Sequence, residues 1–360
     1  MLNEYRKKID LLDRQIIDLI SERAEIVAAI GAEKHKSGLE LYQPEREQQV
    51  YRKIAEMNRG QLDNDSLFNI YREIMSAALK HEGAFSVGYL GPEATFSHSA
   101  AIKKFGSSLP TVPFETIDAV FEAVHKKKIQ YGVVPIENST DGMINPTLDC
   151  LIEYDLKIVS EVNLPIRQHL MSLASNIQEI TTIITIPPAY AQCRRWVIRN
   201  LPKAEWQPAS STAEAARIVA EKKDAAFAAI GPEAASIAHS LPILEHDIHD
   251  YNRNVTRFIV IGREETKPSG HDRTLLSFVL PDSAGALYQA LEPFSQMGVN
   301  MRSIESRPLR GQLWSYVFFT DIVGHIHEPE LSATIEKVKK RVNSLRILGS
   351  YPVDITHSEE

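Results

Sequence analysis

Two cations lie on what should be the packed face of the first predicted helix. Arg23 takes the position between Leu19 and Ile26 on an apolar stripe with 3-4 spacing, and Lys34 follows it by 11 residues. Eleven residues are about three helical turns, so both charges lie on one face. They could bind one ligand together, whereas the structural alternative is a bundle in which Arg23 extends its charged end into solvent. The rest of the stripe is formed by Ile9, Leu12, Ile16 and Ile30.

A third cation, Arg6, cannot join this site from the same chain. It precedes Arg23 by 17 residues, which places it about 26 Å away along the helix and about 100° around it. One small ligand cannot span that distance. If Arg6 and Arg23 serve one site, two chains must contribute, which implies an antiparallel helical dimer.

A second group of polar side chains begins an apolar run late in the chain. Thr256 and Arg257 come directly before Phe258, Ile259, Val260 and Ile261, a run that is typical of a buried strand. Hydroxyl and guanidinium groups destabilise a core unless they are paired, but they are tolerated at a strand end that opens into a cleft. The structural alternative is that Thr favours strands and that Arg often lies at an edge.

The sequence pattern divides the chain into three predicted domains. Helices are predicted at 5–36, 44–58 and 63–82, and from Phe85 short strands alternate with helices in an α/β pattern. After a polar linker at 263–272, the order strand–helix–strand–strand–helix–strand is the ferredoxin-like motif. The predicted fold is therefore multidomain, with an all-α domain at 1–82, a two-lobed α/β domain at 85–263 and an α+β domain at 273–352.

Composition excludes several classes of function. The formal net charge of −7 over 360 residues argues against a nucleic-acid partner. The charged N-terminus has no apolar signal core, and no apolar run approaches the roughly 20 residues of a membrane helix. Cys150 and Cys193 are too few for a disulfide framework or a zinc quartet. We expect a cytoplasmic protein without metal.

The helical segment resembles the helical chorismate mutase family. The motifs that carry the resemblance are YRKKIDLLD, ISERAEI, GAEK and PEREQQV, followed by YREIMSAALK. The resemblance implies that Arg6, Arg23 and Arg46 hold the two carboxylates of chorismate, a task suited to bidentate guanidinium groups. It also implies that Lys34 reaches the breaking ether oxygen and that Glu47 holds the hydroxyl. The pericyclic reaction requires no nucleophile or base, only a compact conformer and stabilised charge on the ether oxygen.

Three positions depart from the mutase pattern. Gln43 stands where some members carry an acid, and Ala78 and Glu82 stand where some members have Ser and Gln. A Glu82 side chain that faces the ether oxygen can donate a hydrogen bond only when it is protonated. The alternative is that Glu82 ends its helix in solvent.

A catalytic role for protonated Glu82 predicts that mutase activity depends on pH. If protonated Glu82 is the catalytic donor, mutase activity falls as pH rises above the pKa of Glu82, since the ionised carboxylate repels the developing negative charge. The measurement is mutase kcat against pH for the natural protein and for Glu82→Gln. A flat profile between about pH 5 and 8 that Glu82→Gln matches would remove the catalytic role.

The middle segment resembles prephenate dehydratase. The motifs are GYLGPEATFSHSAA (88–101), VVPIENSTDGMIN (133–145), SSTAEAA (210–216) and NVTRF (254–258). The resemblance implies two α/β lobes like those of periplasmic binding proteins, with Thr256 donating a proton or hydrogen bond to the departing hydroxyl. Other groups expected to line this site are Ser97, Asn138, Ser139, Ser211, Thr212 and Arg257.

One motif of that family is absent. Thr185-Ile186-Pro187-Pro188 stands where the family usually shows Ser-His-Pro-Gln. Either this segment only shapes a loop, or substrate handling is altered, with reduced dehydratase activity or a preference for the amino analogue arogenate. The run 138–142 could likewise be only a turn, although we expect a turn that lines the site.

The last segment resembles an ACT domain of the phenylalanine-binding kind. Gly285, Ala286 and Leu287 open its first helix, and Glu305-Ser306-Arg307-Pro308 ends its second strand. A glycine at a helix start lets a ligand approach the backbone closely. The implied effector is Phe, bound between paired domains.

Together the resemblances imply a bifunctional chorismate mutase–prephenate dehydratase with a Phe sensor and without cofactor. Its substrates would be chorismate and prephenate, and it would form at least a homodimer. The alternatives are a mutase that carries a non-catalytic Phe-responsive module and a mutase fused to arogenate dehydratase. A stand-alone structural or partner-binding protein would leave the cations on the helical stripe unexplained.

Overall fold

The computed structural model describes residues 1–38, 41–82, 85–251, 253–309 and 315–356, without the side chain of Glu82. The first segment is helical, as predicted, and the helix limits agree with the predicted ones to within one turn. A left-handed Gly38, with φ 65°, ends the first helix, and Pro44 begins the second. The helices are α1 (Leu2–Ser37), α2 (Pro44–Met57) and α3 (Asn64–Glu82).

The apolar stripe of α1 is not covered by the rest of the chain. Ile9, Leu12, Ile16 and Leu19 are each more than half exposed, and Gly31 is the one residue of this helix that is buried. Helix α1 packs on α3. An exposed apolar face of this length is typical of a surface that another protein chain covers.

The middle segment contains eleven strands and seven helices among its described residues. In chain order they are β1 (Val87–Leu90), α4 (Phe96–Phe105), β2 (Thr111–Phe114), α5 (Ile117–His125), β3 (Tyr131–Asn138), β4 (Gly142–Met143), α6 (Asn145–Glu153), β5 (Lys157–Pro165), β6 (His169–Ser172), β7 (Thr182–Thr185), α7 (Pro187–Gln192), α8 (Arg194–Asn200), β8 (Glu205–Pro208), α9 (Thr212–Lys222), β9 (Phe227–Gly231), α10 (Glu233–His239), β10 (Ile243–Glu245) and β11 (Val255–Gly262).

These strands form two sheets, which confirms the predicted two-lobed α/β architecture. The first sheet has the order β2-β1-β3-β11-β5, with β4 added to β3, and the second has the order β10-β6-β9-β7-β8. The chain leaves the first lobe after β5 and returns to it through β11, which is antiparallel to both its neighbours. The strand that carries Thr256 is thus an inner strand, between β3 and the edge strand β5.

The two faces of β11 pack against different parts of the protein. Phe258 and Val260 join the apolar cluster that contains α4, while Ile259 and Ile261 join the cluster that contains α5, α6 and the buried Tyr351 near the C-terminus. Successive side chains of a strand point to opposite faces. Alternate residues of β11 therefore face either the α4 side or the C-terminal domain.

The last segment is an antiparallel four-stranded sheet of order β13-β14-β12-β15, with its two helices packed on one face. This confirms the ferredoxin-like prediction, although residues 313 and 314 of the predicted third strand lie outside the described residues. The elements are β12 (Asp272–Val279), α11 (Ala286–Gln296), β13 (Met301–Pro308), β14 (Tyr316–Val323), α12 (Pro329–Lys339) and β15 (Ser344–Pro352).

The C-terminal sheet meets the first lobe backbone to backbone. A Cβ atom placed on Gly349 of β15 would lie 2.3 Å from the carbonyl oxygen of Ile158 in β5, so a side chain at position 349 cannot fit. The two sheets therefore touch without intervening side chains at this point. Among the residues that the structure describes, no helix combines the length and apolar character needed to cross a bilayer.

Candidate active sites

The first candidate site is an open cavity of about 300 Å³ lined by the helical segment. Arg23 and Lys34 of α1 and Arg46 and Glu47 of α2 line it together. The remaining wall is mostly apolar and includes Ala78 of α3. Cations and one carboxylate in an otherwise apolar cavity are suited to a small dianion with a hydroxyl group.

Each end of the cavity is fixed by hydrogen bonds. Lys34 Nζ donates to the carbonyl of Leu41 at 2.7 Å. Glu47 Oε2 accepts from the Tyr42 hydroxyl at 2.9 Å and from Lys104 Nζ at 2.7 Å. The composition of the helical segment gave no signal for Lys104, because this residue lies in α4 of the next segment.

Arg6 and Glu82 are not among the described residues that line this cavity. Arg6 is exposed near the start of α1 and does not line the cavity, in agreement with its distance from Arg23 along one helix. Glu82 is the last residue of α3, and its side chain lies outside the described residues. The role of Glu82 stays a prediction.

The second candidate site lies where β3 ends beside the start of the antiparallel strand β11. Asn138 Nδ2 donates to Thr256 Oγ1 and to Asn254 Oδ1, both at 2.8 Å. The Asn138 oxygen accepts from the backbone N–H groups of Thr140 and Asp141 at 2.9 and 3.0 Å. Because the amide uses the Thr256 oxygen as acceptor, it directs the hydroxyl proton elsewhere. Asn254 was not predicted, although it shares a strand face with Thr256 by period 2.

The Ser139 hydroxyl ties the turn to β11. It donates to the carbonyl of Arg253 at 3.1 Å and accepts from the N–H of Val255 at 3.0 Å. The run 138–142 is thus a turn, and it lies directly beside Thr256. Both of its side-chain bonds point to a supporting role for Ser139 rather than to direct contact with a ligand.

The other predicted hydroxyls lie at helix N-termini in the two lobes. Ser97 is buried in the first turn of α4, and Ser211 caps α9 by accepting from the N–H of Glu214 at 2.9 Å. Thr212 is buried beside it. Ala94, just before α4, packs in the same apolar cluster as Ala213 of α9. Both N-termini therefore lie near the junction of the lobes, where helix dipoles favour an anion.

The segment that departs from the family pattern forms the connection between β7 and α7. Thr185 is fully buried, and its hydroxyl donates to the carbonyl of Ile230 at 2.7 Å. Pro187 begins α7, which ends at Gln192. Gln192 Nε2 donates to Asp141 Oδ2 across the two lobes at 3.1 Å. The geometry is that of a loop which directs α7 toward the first lobe.

Arg257 does not face this site, which corrects its predicted role in substrate binding. Its guanidinium forms ion pairs with Glu137 at 2.9 Å, with Glu161 at 3.6 Å and with Asp321 of the C-terminal domain at 2.5 Å. The physical reason is strand alternation: Thr256 and Arg257 are neighbours, so their side chains leave β11 on opposite faces. Arg257 lies on the face that the C-terminal sheet covers.

The third candidate site is a cavity of about 400 Å³ at the start of α11. Gly285, Ala286 and Leu287 line it with Tyr316 and Phe318 of β14. Gly285 has a φ of 80° and serves as the N-cap of α11. A left-handed backbone at this point favours glycine.

The second effector motif lies on β13, the edge strand of this sheet, and does not line the same cavity. Pro308 and Ser306 pair with Tyr316 and Phe318, which do line it. Arg307 donates to the carbonyl of Asn145 at 2.8 Å and forms an ion pair in α6. The second motif is reached from the open edge of β13, as a shared site between two chains would require. Glu305 is the remaining member of the motif.

Comparison with known families assigns all three segments. Residues 5–83 match the model of chorismate mutase type II, residues 87–266 that of prephenate dehydratase and residues 274–340 that of the ACT domain. The chain is also similar to a solved prephenate dehydratase from Arthrobacter aurescens in complex with L-Phe. The two are 32% identical with a TM-score of 0.69, over 74% of this chain and 90% of that one.

Two curated relatives match the whole chain. A bifunctional chorismate mutase/prephenate dehydratase from Aquifex aeolicus is 41% identical over 355 residues, which is 98% of each protein. The protein of the same name from Pseudomonas aeruginosa is 40% identical over 98% of this chain and 97% of its own length. The chain belongs to the family of bifunctional chorismate mutase/prephenate dehydratases.

Proposed function

We propose that the protein rearranges chorismate to prephenate in the helical cavity and converts prephenate to phenylpyruvate between the two α/β lobes, as a Phe-inhibited enzyme of phenylalanine biosynthesis. The observation that carries the proposal is the presence of both sites in one chain that matches bifunctional relatives over its whole length. The two reactions are consecutive, since the product of the first is the substrate of the second.

In the mutase reaction the side chains hold chorismate in its reactive conformer. Arg23 and Arg46 bind carboxylates, Lys34 stabilises negative charge on the breaking ether oxygen, and Glu47 accepts from the hydroxyl group. These four side chains line one cavity, which supports the assignment. Arg6 completes the site from a second chain.

A second chain also accounts for the exposed stripe of α1. Ile9, Leu12, Ile16 and Leu19 are exposed in one chain, and an antiparallel α1 of a second copy would cover them while it brings its own Arg6 to the cavity. We therefore infer a homodimer, or a higher oligomer built from it.

In the dehydratase reaction Thr256 assists the departure of the ring hydroxyl. The bond from the ring to the carboxylate breaks and releases CO₂, its electron pair completes the aromatic ring, and the C–O bond breaks. Thr256 either donates a hydrogen bond to the oxygen, which leaves as hydroxide and is protonated by solvent, or transfers its proton, so that water leaves and solvent reprotonates the Thr256 oxygen. The N-termini of α4 and α9, with Ser97, Ser211 and Thr212, orient the dianion.

We place the domains at 1–82, 85–263 and 273–352 and the protein in the cytoplasm. Cys150 and Cys193 are both buried free thiols, which fits a reducing compartment. The substrates and the effector are small molecules. No step of either reaction as written requires a cofactor.

The role of Thr256 is tested by its hydroxyl. Thr256→Val keeps the shape of the side chain, and we expect it to lower kcat for phenylpyruvate formation from prephenate by about 10²-fold or more, because the leaving group loses its donor. Thr256→Ser keeps the hydroxyl and should retain most activity. Mutase activity in the same preparations verifies folding. A Val variant as fast as the natural protein would contradict the assignment, and turnover of arogenate alone would identify an arogenate dehydratase.

The shared mutase site is tested by complementation between chains. Arg6→Ala and Arg23→Ala should each abolish most mutase activity. Co-expression of the two variants should restore about a quarter of the natural activity, because half of the dimers are mixed and each mixed dimer has one intact site. Activity no higher than the mean of the two single variants would show that Arg6 and Arg23 do not serve one site from two chains.

The effector site is tested with two glycines of similar backbone. Gly285 and Gly298 both have positive φ, 80° and 67°, but only Gly285 lines the cavity at α11. Replacing either with Ala strains the backbone to a similar extent. We expect Gly285→Ala to raise the Phe concentration for half-inhibition of phenylpyruvate formation by about tenfold, while Gly298→Ala leaves it unchanged. Equal effects of the two substitutions would contradict Phe binding at this cavity.

A further inference from the structure

The buried ammonium of Lys104 connects the dehydratase segment to the mutase cavity. Lys104 lies in the last turn of α4, and its Nζ is 2.7 Å from Oε2 of Glu47 in α2. The side chains are only 8% and 11% exposed. Burial alone lowers the pKa of Lys104, but the Glu47 carboxylate, together with Asp354 and Tyr51, outweighs this effect and leaves the pKa raised. Lys104 is therefore a charged partner of a residue that lines the mutase site.

A second hydrogen bond fixes the same carboxylate oxygen. The Tyr42 hydroxyl donates to Glu47 Oε2 at 2.9 Å. The Tyr42 ring lies among three aromatic rings of the dehydratase segment, with centroid distances of 6.3 Å to Phe85, 5.0 Å to Phe105 and 5.3 Å to Tyr131. Both groups that hold Glu47 are thus themselves held by the neighbouring domain.

This arrangement divides the work of the carboxylate between its two oxygens. Oε2 accepts from both Tyr42 and Lys104, which fixes the plane of the carboxylate. Among the described residues no hydrogen bond to Oε1 is seen, which leaves this oxygen available to a ligand. A charge-assisted bond to a buried carboxylate is strong and directional, so it sets the orientation of the side chain.

We propose that Lys104 is a positioning residue of the chorismate mutase site, supplied by the dehydratase domain, which orients Glu47 toward the substrate hydroxyl. The proposal rests on the role of Glu47 in the proposed function. It makes the mutase site a product of two domains of one chain, in addition to the second chain that contributes Arg6. The mutase site then depends on the dehydratase domain for the orientation of Glu47.

The adjacent lysine provides a matched control. Lys103 directly precedes Lys104 in the last turn of α4. Its Nζ donates to the carbonyl of Asn163 at 2.6 Å, away from the mutase cavity. Lys103→Met removes a partly buried cation from the same helix without touching Glu47. An effect common to Lys103→Met and Lys104→Met would report the stability of α4 and not the orientation of Glu47.

The test is a double-mutant cycle in the full-length protein. We expect Lys104→Met to lower mutase kcat/KM by about tenfold in the natural background and by less than about twofold in the Glu47→Gln background, because the orientation of Glu47 is then no longer at issue. Phenylpyruvate formation from prephenate should be unchanged in Lys104→Met. Lys103→Met should leave mutase kcat/KM unchanged.

Several outcomes would overturn the proposal. Equal losses of mutase kcat/KM in both backgrounds would show that Lys104 has only a structural role. If Lys104→Met leaves mutase kcat/KM unchanged while Glu47→Gln lowers it, the positioning role of Lys104 is excluded, but the proposed role of Glu47 is not. A silent Glu47→Gln would overturn the proposed role of Glu47 and this inference with it. If Lys104→Met fails to fold, as judged by lost dehydratase activity, Lys104→Gln replaces it and must show the same dependence on Glu47.

Discussion

The junction between the dehydratase and ACT domains depends on a buried group of charges. Arg257 of β11 and Arg273 of β12 both form ion pairs with Glu161 of β5 and with Asp321 of β14. Burial raises the pKa of Glu161, and the two arginines oppose that shift. Removing one member of such a group costs about 3–5 kcal/mol, because it leaves an uncompensated charge in a buried position. Two of these ion pairs, Arg257 with Asp321 and Arg273 with Glu161, form only when the two sheets dock against each other.

The two proposed reactions make similar demands on the side chains of their sites. A pericyclic rearrangement and a loss of CO₂ and water driven by aromatisation both need orientation and charge stabilisation rather than a strong base. The side chains are accordingly guanidinium, ammonium, amide and hydroxyl groups held by neighbouring elements. Asn138 shows this most clearly, since its amide group makes four hydrogen bonds, two to Thr256 and Asn254 and two to backbone N–H groups of its own turn.

The features of the fold and of the sites that the sequence predicts are those that follow from local periodicity and from the order of motifs. The apolar stripe of α1 placed Arg23 and Lys34 on one face, and the structure places both in one cavity with Arg46 and Glu47. The three fold classes and most strands follow from the same kind of pattern. Strand alternation could also have shown that Thr256 and Arg257 cannot both face the cleft.

Contacts between domains leave no such local pattern. Lys104 lies at the end of a helix, where a cation usually meets solvent and the helix dipole, and only the docking of α2 buries it against Glu47. In the same way, Arg257 faces carboxylates from a strand more than 60 residues later in the chain. Such pairings depend on tertiary packing, which a motif of five residues does not encode.

The contact at Gly349 makes the ACT sheet and the first lobe mechanically continuous. Packed sheets are normally held about 10 Å apart by a layer of side chains. Between β15 and β5 that layer is missing at Gly349, where the backbones meet. Strand β5 pairs with β11, the strand that carries Thr256. A shift of the ACT sheet would therefore be passed to the strand that carries Thr256 through one intervening strand, without a layer of side chains between the two sheets at this point.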